Sequence, residues 1–425
     1  MKRYDSYKDS GVEWIGDTPS GWSQTKMKYV GDYINGYPFK PSDWGDTGRL
    51  IIRIQNLTKG RGSENFYDGE IDSKYIIKTG DYLFSWSTTL GLFEWKREEG
   101  VLNQHIFKVE LNDILTRKFY YWVIQGVIKE LSNESHGSTM THLTKDVFGN
   151  IRLPLPPLSE QHQIVSYLDT KTSLIDSLIE KTQRKIELLK EKRTSLINEV
   201  VTKGLNPNVE MKYSGVEWIG EIPSHWELRK GSTIGNYSKG KGIKKDEVKE
   251  TGLPCIRYGE IYTKYNHKFE SVETFIDEGV TDIKVKKGTL FMTGSGELLE
   301  DIGKCVVYVG NGEIYVGGDI IILKPFNEFD SEFLSYQINS ECIRIQREQN
   351  GRGGIIVHIY SKNFKDMWFP TPPTSEQQKI VDYLDEQTQL IDKTVSIEEK
   401  RIELLKEYRQ SLISEVVTGK LKVTN

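Results

Sequence analysis

Cysteine is scarce in this chain, and long apolar runs are absent. The 425 residues include three cysteines, Cys255, Cys305 and Cys342, at spacings that fit neither a metal site nor a disulfide framework. No segment approaches the roughly 20 apolar residues that a membrane-spanning helix needs, and the opening residues MKRYDSYKDS lack the apolar core of a signal peptide. We therefore expect a protein of the reducing cytoplasm with no membrane partner.

An excess of positive charge is also missing. Lys and Arg number 57 against 61 Asp and Glu, which gives a formal net charge of −4. This balance argues against a protein that coats nucleic acid through net charge alone. With 37% hydrophobic and 28% charged residues, the composition fits a globular protein long enough for two or more domains.

Complete catalytic motifs are absent too. Residues Gly235–Gly242 (GNYSKGKG) approach a Walker A phosphate loop, but Gly242 stands where Ser or Thr should bind magnesium. The seven His and three Cys show no zinc spacing, and no local motif suggests a Ser/His/Asp or Cys/His arrangement. The sequence therefore predicts a non-enzymatic protein with no catalytic residue, no metal and no cofactor.

What the chain does contain is a duplication. The heptapeptide SGVEWIG occurs at Ser10–Gly16 and again, 204 positions later, at Ser214–Gly220. The segment SEQHQIVSYLD (Ser159–Asp169) returns 216 positions later as SEQQKIVDYLD (Ser375–Asp385), and IELLKE and SLI(N/S)EVVT repeat at that same offset. Two tandem copies of one unit predict internal two-fold pseudosymmetry. The ends of the copies match, whereas the long middles differ.

The central part of each copy, here called its body, is predicted to contain both strands and helices. Short apolar runs such as LIIRI, YLFSW and HIFKVEL in the first copy, bounded by Gly and Asp, predict strands. The run Phe119–Leu131 has helical spacing, and the second copy repeats this order with Glu332–Gln346 as its late helix. We therefore expect an α+β fold.

Each copy closes with a predicted long helix. After the proline-rich junctions PLPPLSEQ and PTPPTSEQ, neither Gly nor Pro occurs until past Thr202 and Thr418. Apolar residues recur by sevens, although Thr182 and Glu398 interrupt the two rows. This pattern favours an antiparallel coiled-coil pair over two independent surface helices. The apolar rows are Leu168, Ile175, Leu189, Leu196 and Leu384, Ile391, Leu405, Leu412.

Together, the SGVEWIG motif, the PLPPLSEQ junction, IELLKE and the terminal SLI(N/S)EVVT resemble the specificity subunits of type I restriction-modification enzymes. The resemblance covers both copies. It implies two tandem α/β target-recognition domains separated by two long antiparallel coiled-coil helices. On this basis we expect the domains at residues 1–157 and 206–373, and the helices at 158–205 and 374–421.

The resemblance also implies a function and partners. A specificity subunit is not itself catalytic. It binds double-stranded DNA, and each recognition domain reads one half of a bipartite site. It assembles with two methyltransferase (modification) subunits and two restriction subunits. The shared helices and end motifs are expected to dock the methyltransferases, which leaves the variable bodies for DNA.

The duplication separates two classes of candidate DNA-binding residue. If each body reads a different half-site, residues common to both copies should serve folding, phosphate contact or docking. Arg53 and Arg257 match at offset 204, and His142 and His358 match at offset 216. The two arginines could contact the DNA backbone, or each could form a buried structural ion pair.

Base-reading candidates lie instead in the unshared loops. Asn and Gln can bond adenine with two hydrogen bonds, Arg and Lys can bond guanine, and Gly-spaced lysines can approach phosphates. A solvated charged loop is the alternative for the basic cluster. The candidates in the first body are Lys40, Ser42, Trp44, Ser87, Thr88, Thr89, Asn103, Gln104 and His105. Those in the second body are Lys239, Lys241, Lys244, Lys245, Thr293, Ser295 and Arg352.

Two other functions stay open at this point. The chain could be the specificity subunit of a smaller system in which nuclease and methyltransferase are fused in one partner. It could also be a coiled-coil scaffold that binds no DNA, which its acidic net charge would suit. Two divergent, polar, Gly-rich bodies on one duplicated frame favour a reader of variable targets.

Overall fold

The computed structural model describes residues 3–58, 64–87, 89–135, 145–299, 302–351, 353 and 356–423, without the side chains of 129–135 and 245. Contacts divide the chain into a first unit, Met1–Gln183 with Lys400–Asn425, and a second unit, Arg184–Glu399. The division falls inside both long helices, so each unit contains one body and a part of each helix. The linear boundaries expected at 157, 205 and 373 stay a prediction.

The first unit contains twelve described strands and three short helices, and the first long helix begins in it. The strands are β1 (Tyr7–Asp9), β2 (Asp17–Pro19), β3 (Ser23–Lys26), β4 (Gly31–Asn35), β5 (Arg49–Ile52), β6 (Phe66–Tyr67), β7 (Ile76–Ile77), β8 (Tyr82–Ser85), β9 (Gly91–Glu94), β10 (Gly100–Leu102), β11 (Ile106–Leu111) and β12 (Arg152–Leu155). The helices are α1 (Ile54–Thr58), α2 (Arg117–Ser135), α3 (Lys145–Asn150) and the long α4 (Leu158–Lys203).

Two four-stranded sheets form the centre of the first unit. Their strand orders are β4-β11-β8-β9 and β6-β5-β10-β7, and β5 and β10 run parallel. Short pairs, β1 with β2 and β3 with β12, flank them. Large aromatic side chains fill the core between sheet and helix, among them the fully buried Phe84, Phe119, Tyr120 and Phe148. This burial removes apolar surface from water and orders the body.

The second unit has a similar set of elements. Its strands are β13 (Met211–Tyr213), β14 (Glu221–Pro223), β15 (Glu227–Lys230), β16 (Gly235–Lys239), β17 (Val248–Lys249), β18 (Leu253–Ile256), β19 (Lys268–Phe269), β20 (Thr274–Ile276), β21 (Lys284–Val285), β22 (Leu290–Thr293), β23 (Ser295–Gly296), β24 (Cys305–Tyr308), β25 (Ile314–Val316), β26 (Ile320–Pro325), β27 (Val357–His358) and β28 (Trp368–Thr371). Its helices are α5 (Tyr258–Thr263), α6 (Ser331–Ile338), α7 (Glu341–Asn350), α8 (Ser361–Asp366) and the long α9 (Thr374–Val417).

The two bodies share one topology despite their different sequences. The sheets of the second unit are β16-β26-β22-β24-β19 and β17-β20-β18-β25-β21, which repeat the orders of the first unit with one strand added to each. The parallel pair recurs as β18 with β25. The predicted α+β fold is confirmed, and the duplication extends through the middles that the sequence left unmatched.

The long helices form an antiparallel pair inside each unit. In the first unit, Arg409 Nε donates to Asp176 Oδ1 at 2.8 Å. In the second, Arg193 Nε lies 3.0 Å from Asp392 Oδ1. Within the second unit Lys185 pairs with Glu398 and Arg193 with Asp392, so residue numbers rise along one helix as they fall along the other. The predicted antiparallel pairing is therefore confirmed over independent surface helices. Five of the predicted apolar residues are fully or nearly fully buried along this pair: Leu168, Ile175, Leu384, Ile391 and Leu412.

The two polar interruptions of the apolar rows are also buried. The Thr182 hydroxyl donates to the carbonyl oxygen of Leu178 at 2.7 Å, one turn earlier. The Glu398 carboxylate accepts from Lys185 Nζ at 2.5 Å across the pair. Because a buried polar group is costly without a partner, these bonds let the helices stay paired through the interruptions.

The shared end motifs attach each body to the start of its helix. In the first unit Trp22 Nε1 donates to Glu160 Oε2 at 3.1 Å, and in the second Trp226 Nε1 donates to Glu376 Oε2 at 3.1 Å. Both tryptophans are buried. The contact joins the beginning of each copy to its SEQ segment, so both ends of a body are held at one place.

The glutamines of the SEQ segments repeat a second contact. Gln161 Oε1 accepts from the Thr116 N–H at 2.8 Å, and Gln377 Oε1 accepts from the Asp330 N–H at 2.7 Å. Both glutamines are buried. They therefore bond the backbone N–H groups near the starts of α2 and α6 to the long helices.

A third contact holds the bodies at the aspartate of the YLD segments. Asp169 accepts from Trp122 Nε1 at 2.9 Å. Its counterpart Asp385 accepts from the Tyr336 hydroxyl at 2.7 Å and pairs with Lys268 and His267. Burial alone would raise the pKa of Asp385, but the contacts with these three groups outweigh it and hold the pKa well below its usual range.

We expect Asp385→Asn to lower the stability of the second unit by about 2 kcal/mol at pH 7, since a charge-assisted network loses its acceptor. A carboxylate with a lowered pKa contributes stability above its unfolded value and loses it as pH falls. The difference from the unsubstituted protein, measured by thermal unfolding, should therefore shrink below about pH 4.

Asp382→Asn is the matched control, because Asp382 is an exposed carboxylate on the same helix that accepts from Gln378 alone among the described residues. It should change the melting temperature little at any pH. Equal effects of the two substitutions would show that the contact of Asp385 with the body adds nothing.

None of the described helices combines the length and the apolarity that crossing a bilayer requires.

Candidate nucleic-acid interface

Three segments that carry predicted DNA-binding residues of the first body meet at the turn between β10 and β11. The Asn103 N–H donates to the carbonyl oxygen of Ile52 at 3.1 Å, next to Arg53. The Tyr37 N–H donates to the carbonyl oxygen of Leu102 at 2.8 Å, and the Gln104 N–H donates to the carbonyl oxygen of Tyr37 at 3.0 Å. Tyr37 lies in the loop that carries Lys40. The Trp86 N–H donates to the His105 carbonyl oxygen at 3.3 Å. Segments far apart in the sequence are thus joined through the backbone.

Arg53 is half-buried and its guanidinium is held in place. Its Nη1 donates to Asn65 Oδ1 at 2.9 Å, and the guanidinium lies over the Trp44 ring at 4.8 Å. Its backbone N–H donates to Asn56 Oδ1 at 2.9 Å, which fixes the step from β5 into α1. No carboxylate pairs with it among the residues that the structure describes, so the other guanidinium donors are available.

Lys40 opens a short 3-10 turn, Pro41–Asp43, and its backbone N–H donates to Asp43 Oδ2 at 2.7 Å. Its side chain is exposed and forms no ion pair within the described residues. Ser42 is exposed, and its hydroxyl lies 3.5 Å from Asp43 Oδ1. The turn therefore presents one unpaired cation to solvent.

The β8–β9 loop contributes less than the sequence predicted. Ser87 is buried, and Thr89 is exposed with its N–H donating to the Ser87 carbonyl oxygen at 2.6 Å. The ring of Trp86, which sequence reasoning did not select, lies edge-on to the His105 ring at 5.0 Å. Thr88 and His142 lie outside the described residues.

The second unit repeats this convergence with other side chains. The Gly317 N–H donates to Ile256 at 2.9 Å, next to Arg257, and the Lys241 N–H donates to Val316 at 3.4 Å. The Gly294 N–H donates to the Asp319 carbonyl oxygen at 2.7 Å. The same three segments therefore meet at the turn between β25 and β26.

The lysines of the second unit differ in their pairing. Lys239 lies 3.5 Å from Asp319, and Lys241 lies 3.8 Å from Asp282. Lys244 is exposed without an ion pair in the described part of the chain, and its N–H donates to Glu247 Oε2 at 2.6 Å. Lys245 begins the 3-10 turn Lys245–Glu247, and its side chain lies outside the description.

Lys244 occupies the place that Lys40 has in the first unit. Both open a 3-10 turn after the equivalent strands β16 and β4, and both donate a backbone N–H to an acidic side chain three residues later. From the sequence alone, these lysines lie in loops that the two copies do not share. The offset of 204 positions between them equals that of the SGVEWIG motifs and could have identified them as equivalent. The neighbouring residues differ between the two copies, so the equivalence is not evident from the sequence.

Arg257 repeats the backbone contact of Arg53. Its N–H donates to the Glu260 carboxylate at 2.9 Å, as Arg53 does to Asn56. Its Nε is buried and has no hydrogen-bond partner within the described residues. No ion pair of the predicted structural kind occurs for either arginine within the described residues.

Thr293 and Ser295 are buried and hold the frame of this face. The Tyr262 hydroxyl lies 2.7 Å from Thr293 Oγ1 and 2.8 Å from the Ser295 carbonyl oxygen. Ser295 also pairs with His358 across β23 and β27. His358 is exposed, with its ring 6.4 Å from that of Tyr360. Arg352 lies outside the described residues.

Groups of His, Cys, Asp and Glu able to hold a metal ion do not occur within the described ranges. The three cysteines are buried free thiols. The faces just described, one in each unit, thus offer cations, amides, carboxylates and aromatic rings around a backbone turn. That chemistry suits hydrogen bonding to phosphates and base edges.

The family model described as "Type I restriction modification DNA specificity domain" matches residues 19–188 and 223–407. The MjaVIII specificity subunit of a type I restriction enzyme from Methanocaldococcus jannaschii is 24% identical, over 83% of this chain and 82% of its own length. The EcoBI specificity subunit from Escherichia coli is also 24% identical, over 94% and 86%.

Two solved structures share the fold. A chain from a study of complex assembly in the type I R-M system has a TM-score of 0.73 at 15% identity, covering 95% of this chain and 99% of its own. The HsdS subunit from Thermoanaerobacter tengcongensis has a TM-score of 0.56 at 15% identity, covering 97% and 100%. Both cover nearly the full length, which agrees with the duplicated architecture.

We expect Lys244→Ala to weaken binding to all double-stranded DNA sequences alike. An exposed, unpaired lysine acts on phosphates, so the slope of log affinity against log salt should fall by about one unit. Lys241→Ala should change the slope less, because Asp282 already offsets that charge. Fluorescence anisotropy at several salt concentrations measures both.

Lys286→Ala is the control, since Lys286 lies beside Glu313 (3.4 Å) at the end of β25 opposite the turn. It should leave the slope unchanged. If all three variants gave the same slope as the unsubstituted protein, the loop would not touch phosphate.

Proposed function

The chain belongs to the type I restriction-modification DNA specificity family, and from this premise we propose that each unit reads one half of a bipartite double-stranded DNA site. The chain is the non-catalytic specificity subunit of such a system. One observation carries the proposal of two separate readers. The two units bring the same three segments together through equivalent backbone hydrogen bonds, while the side chains on those segments differ.

A constant frame with variable side chains is what two half-sites of different sequence require. Phosphates have the same spacing in every sequence, whereas base edges differ. The cations that occur at the same place in both units, Lys40 with Lys244 and Arg53 with Arg257, suit phosphate contact. The side chains that differ between the units suit base edges.

The long helices suggest how the partner subunits bind. Leu174 and Leu390 are 57% and 55% exposed, and Leu188 and Leu404 are 48% and 53% exposed. Each pair is separated by 216 positions, so each unit carries one leucine of each pair. Single exposed leucines are common on protein surfaces, but their recurrence at equivalent positions of both long helices is what a repeated docking surface would show.

This repetition supports docking of the same partner twice. We propose that two methyltransferase subunits bind these helices and that two restriction subunits join them. Bacterial or archaeal DNA as the target would place the complex in the cytoplasm.

The proposed DNA recognition is tested by expressing this chain together with the methyltransferase encoded next to it, in a host that lacks other restriction-modification systems. Single-molecule methylome sequencing should find one bipartite motif, with two short specific halves and a fixed unspecific gap. A continuous motif would mean that one unit alone reads DNA. No methylation from a soluble complex with an active methyltransferase would favour the scaffold.

The docking proposal has its own prediction. The double variant Leu174→Asp and Leu390→Asp should lose methyltransferase binding in size-exclusion chromatography, while the melting temperature of the subunit stays within a few degrees because both side chains are exposed. Leu158→Asp is the control. Leu158 is 52% exposed on the same helix, but its counterpart is Thr374, so the position tolerates a polar residue. Retained binding by the double variant would place the docking surface elsewhere.

A further inference from the structure

The β10–β11 turn and its counterpart have an unusual backbone. Among the described residues, only two that are not glycine have a positive φ: His105 at 73° and Asp319 at 56°. Each is the last residue of a three-residue turn, Asn103–His105 before β11 and Gly317–Asp319 before β26. The same left-handed conformation therefore occurs at the same place in both units.

Glycine would adopt this conformation without strain. A side chain in the left-handed region is disfavoured by contacts of its Cβ, although Asp and His tolerate it better than most residues. In the second unit two glycines, Gly317 and Gly318, immediately precede the left-handed residue, yet that residue is Asp. The left-handed backbone conformation occurs at His105 and at Asp319, the same position of the turn in both units. Because this conformation costs energy there, its retention indicates that the side chain at this position, or the direction of the turn, serves the function.

The surroundings of Asp319 limit what its carboxylate can bind. It is exposed, and Lys239 lies 3.5 Å away, with Lys241 and Lys244 on the adjoining loop. A carboxylate on a face that meets DNA repels phosphates. It accepts hydrogen bonds from the exocyclic amino groups that cytosine N4 and adenine N6 present in the major groove. The chemistry of Asp319 therefore suits a base edge better than a phosphate of the DNA backbone.

In the first unit the candidate polar side chain is that of Gln104, one residue before His105, which is the counterpart of Asp319. Asn103 Oδ1 accepts from the Gln104 N–H at 2.9 Å, so Asn103 stabilises the turn. The Gln104 carboxamide forms no hydrogen bond within the described residues, and an amide can bond adenine twice. The equivalent position in the second unit is Gly318, where a Cβ would lie 2.7 Å from the Gly242 Cα. A side chain there would require the neighbouring loop to move.

We infer that this turn is the base-reading element of each unit, with Gln104 reading in the first and Asp319 in the second. The inference rests on the proposed function, because it assigns the reader within each half-site. Its frame consists mainly of backbone hydrogen bonds, to which the Asn103 side chain adds one in the first unit, and it does not depend on the side chains that contact the bases. The cations around it bind the neighbouring phosphates.

The test uses the assembled methyltransferase complex with Asp319→Asn or Asp319→Gly, and methylome sequencing as the readout. Each variant should change or relax, by about tenfold or more, the preference at one base pair of one half-site only. The glycine variant relieves the left-handed strain, so its melting temperature should not fall. A changed motif would then not be caused by misfolding.

Gln104→Ala should alter one base pair of the other half-site. Asp282→Asn is the matched control, since Asp282 is an exposed carboxylate beside Lys241 and its loss changes charge equally. It should leave the motif unchanged.

An unchanged bipartite motif in the Asp319 and Gln104 variants would overturn the inference alone. Identical changes in Asp319→Asn and Asp282→Asn would also overturn it, because charge and not base contact would then be responsible. A wild-type complex that methylates no bipartite motif would overturn the proposed function and this inference with it.

Discussion

The hydrogen bond between a tryptophan and the first-turn glutamate of a long helix is the contact on which each body depends. Trp22 and Glu160 lie 138 positions apart, and Trp226 and Glu376 lie 150 apart, yet the bond is 3.1 Å in both units. It closes the chain of each body at one place on the helix pair. A segment whose two ends are fixed together can vary in length and sequence between them without displacing the helices. The second body is the longer one between its shared ends, and both bodies retain this contact.

The same separation of fixed and variable parts recurs inside each body. The turn before β11 or β26 is held by donors and acceptors of the main chain, which every residue type except proline supplies. The backbone N–H groups of Asn103 and Gly317 therefore make the same bond, although Asn103 has a carboxamide side chain and Gly317 has none. Substitutions on such a turn that keep its backbone conformation change the chemistry that it presents, whereas a side chain at Gly318 would displace the neighbouring loop. This is the physical condition for changing specificity through few substitutions, since the reader stays in place when its side chains change.

The long helices and the α+β bodies could be predicted from the sequence because their signals are local. Absence of Gly and Pro, a seven-residue apolar repeat and short bounded apolar runs each describe neighbouring residues. The arrangement of the face could not be predicted, because its segments, such as those of Ile52 and Gln104, meet through backbone bonds that leave no pattern in side chains. A short polar side chain at a strand end also gives no sign of its burial. Three residues selected as polar loop candidates are buried for this reason: Ser87, Thr293 and Ser295.

The acidic net charge is consistent with a subunit that must discriminate. Binding to phosphates increases affinity for every sequence, so a strongly basic chain would spend most of its time on unspecific DNA. Here Lys239 and Lys241 lie near carboxylates, whereas Lys40 and Lys244 on the same faces form no ion pair within the described residues. A moderate affinity for phosphates would make occupancy depend on the proposed base contacts at the turn. Asp319 increases that dependence, because a carboxylate that finds no amino group opposite it is left desolvated and repelled by the DNA, so a wrong base is penalised as well as a right one favoured.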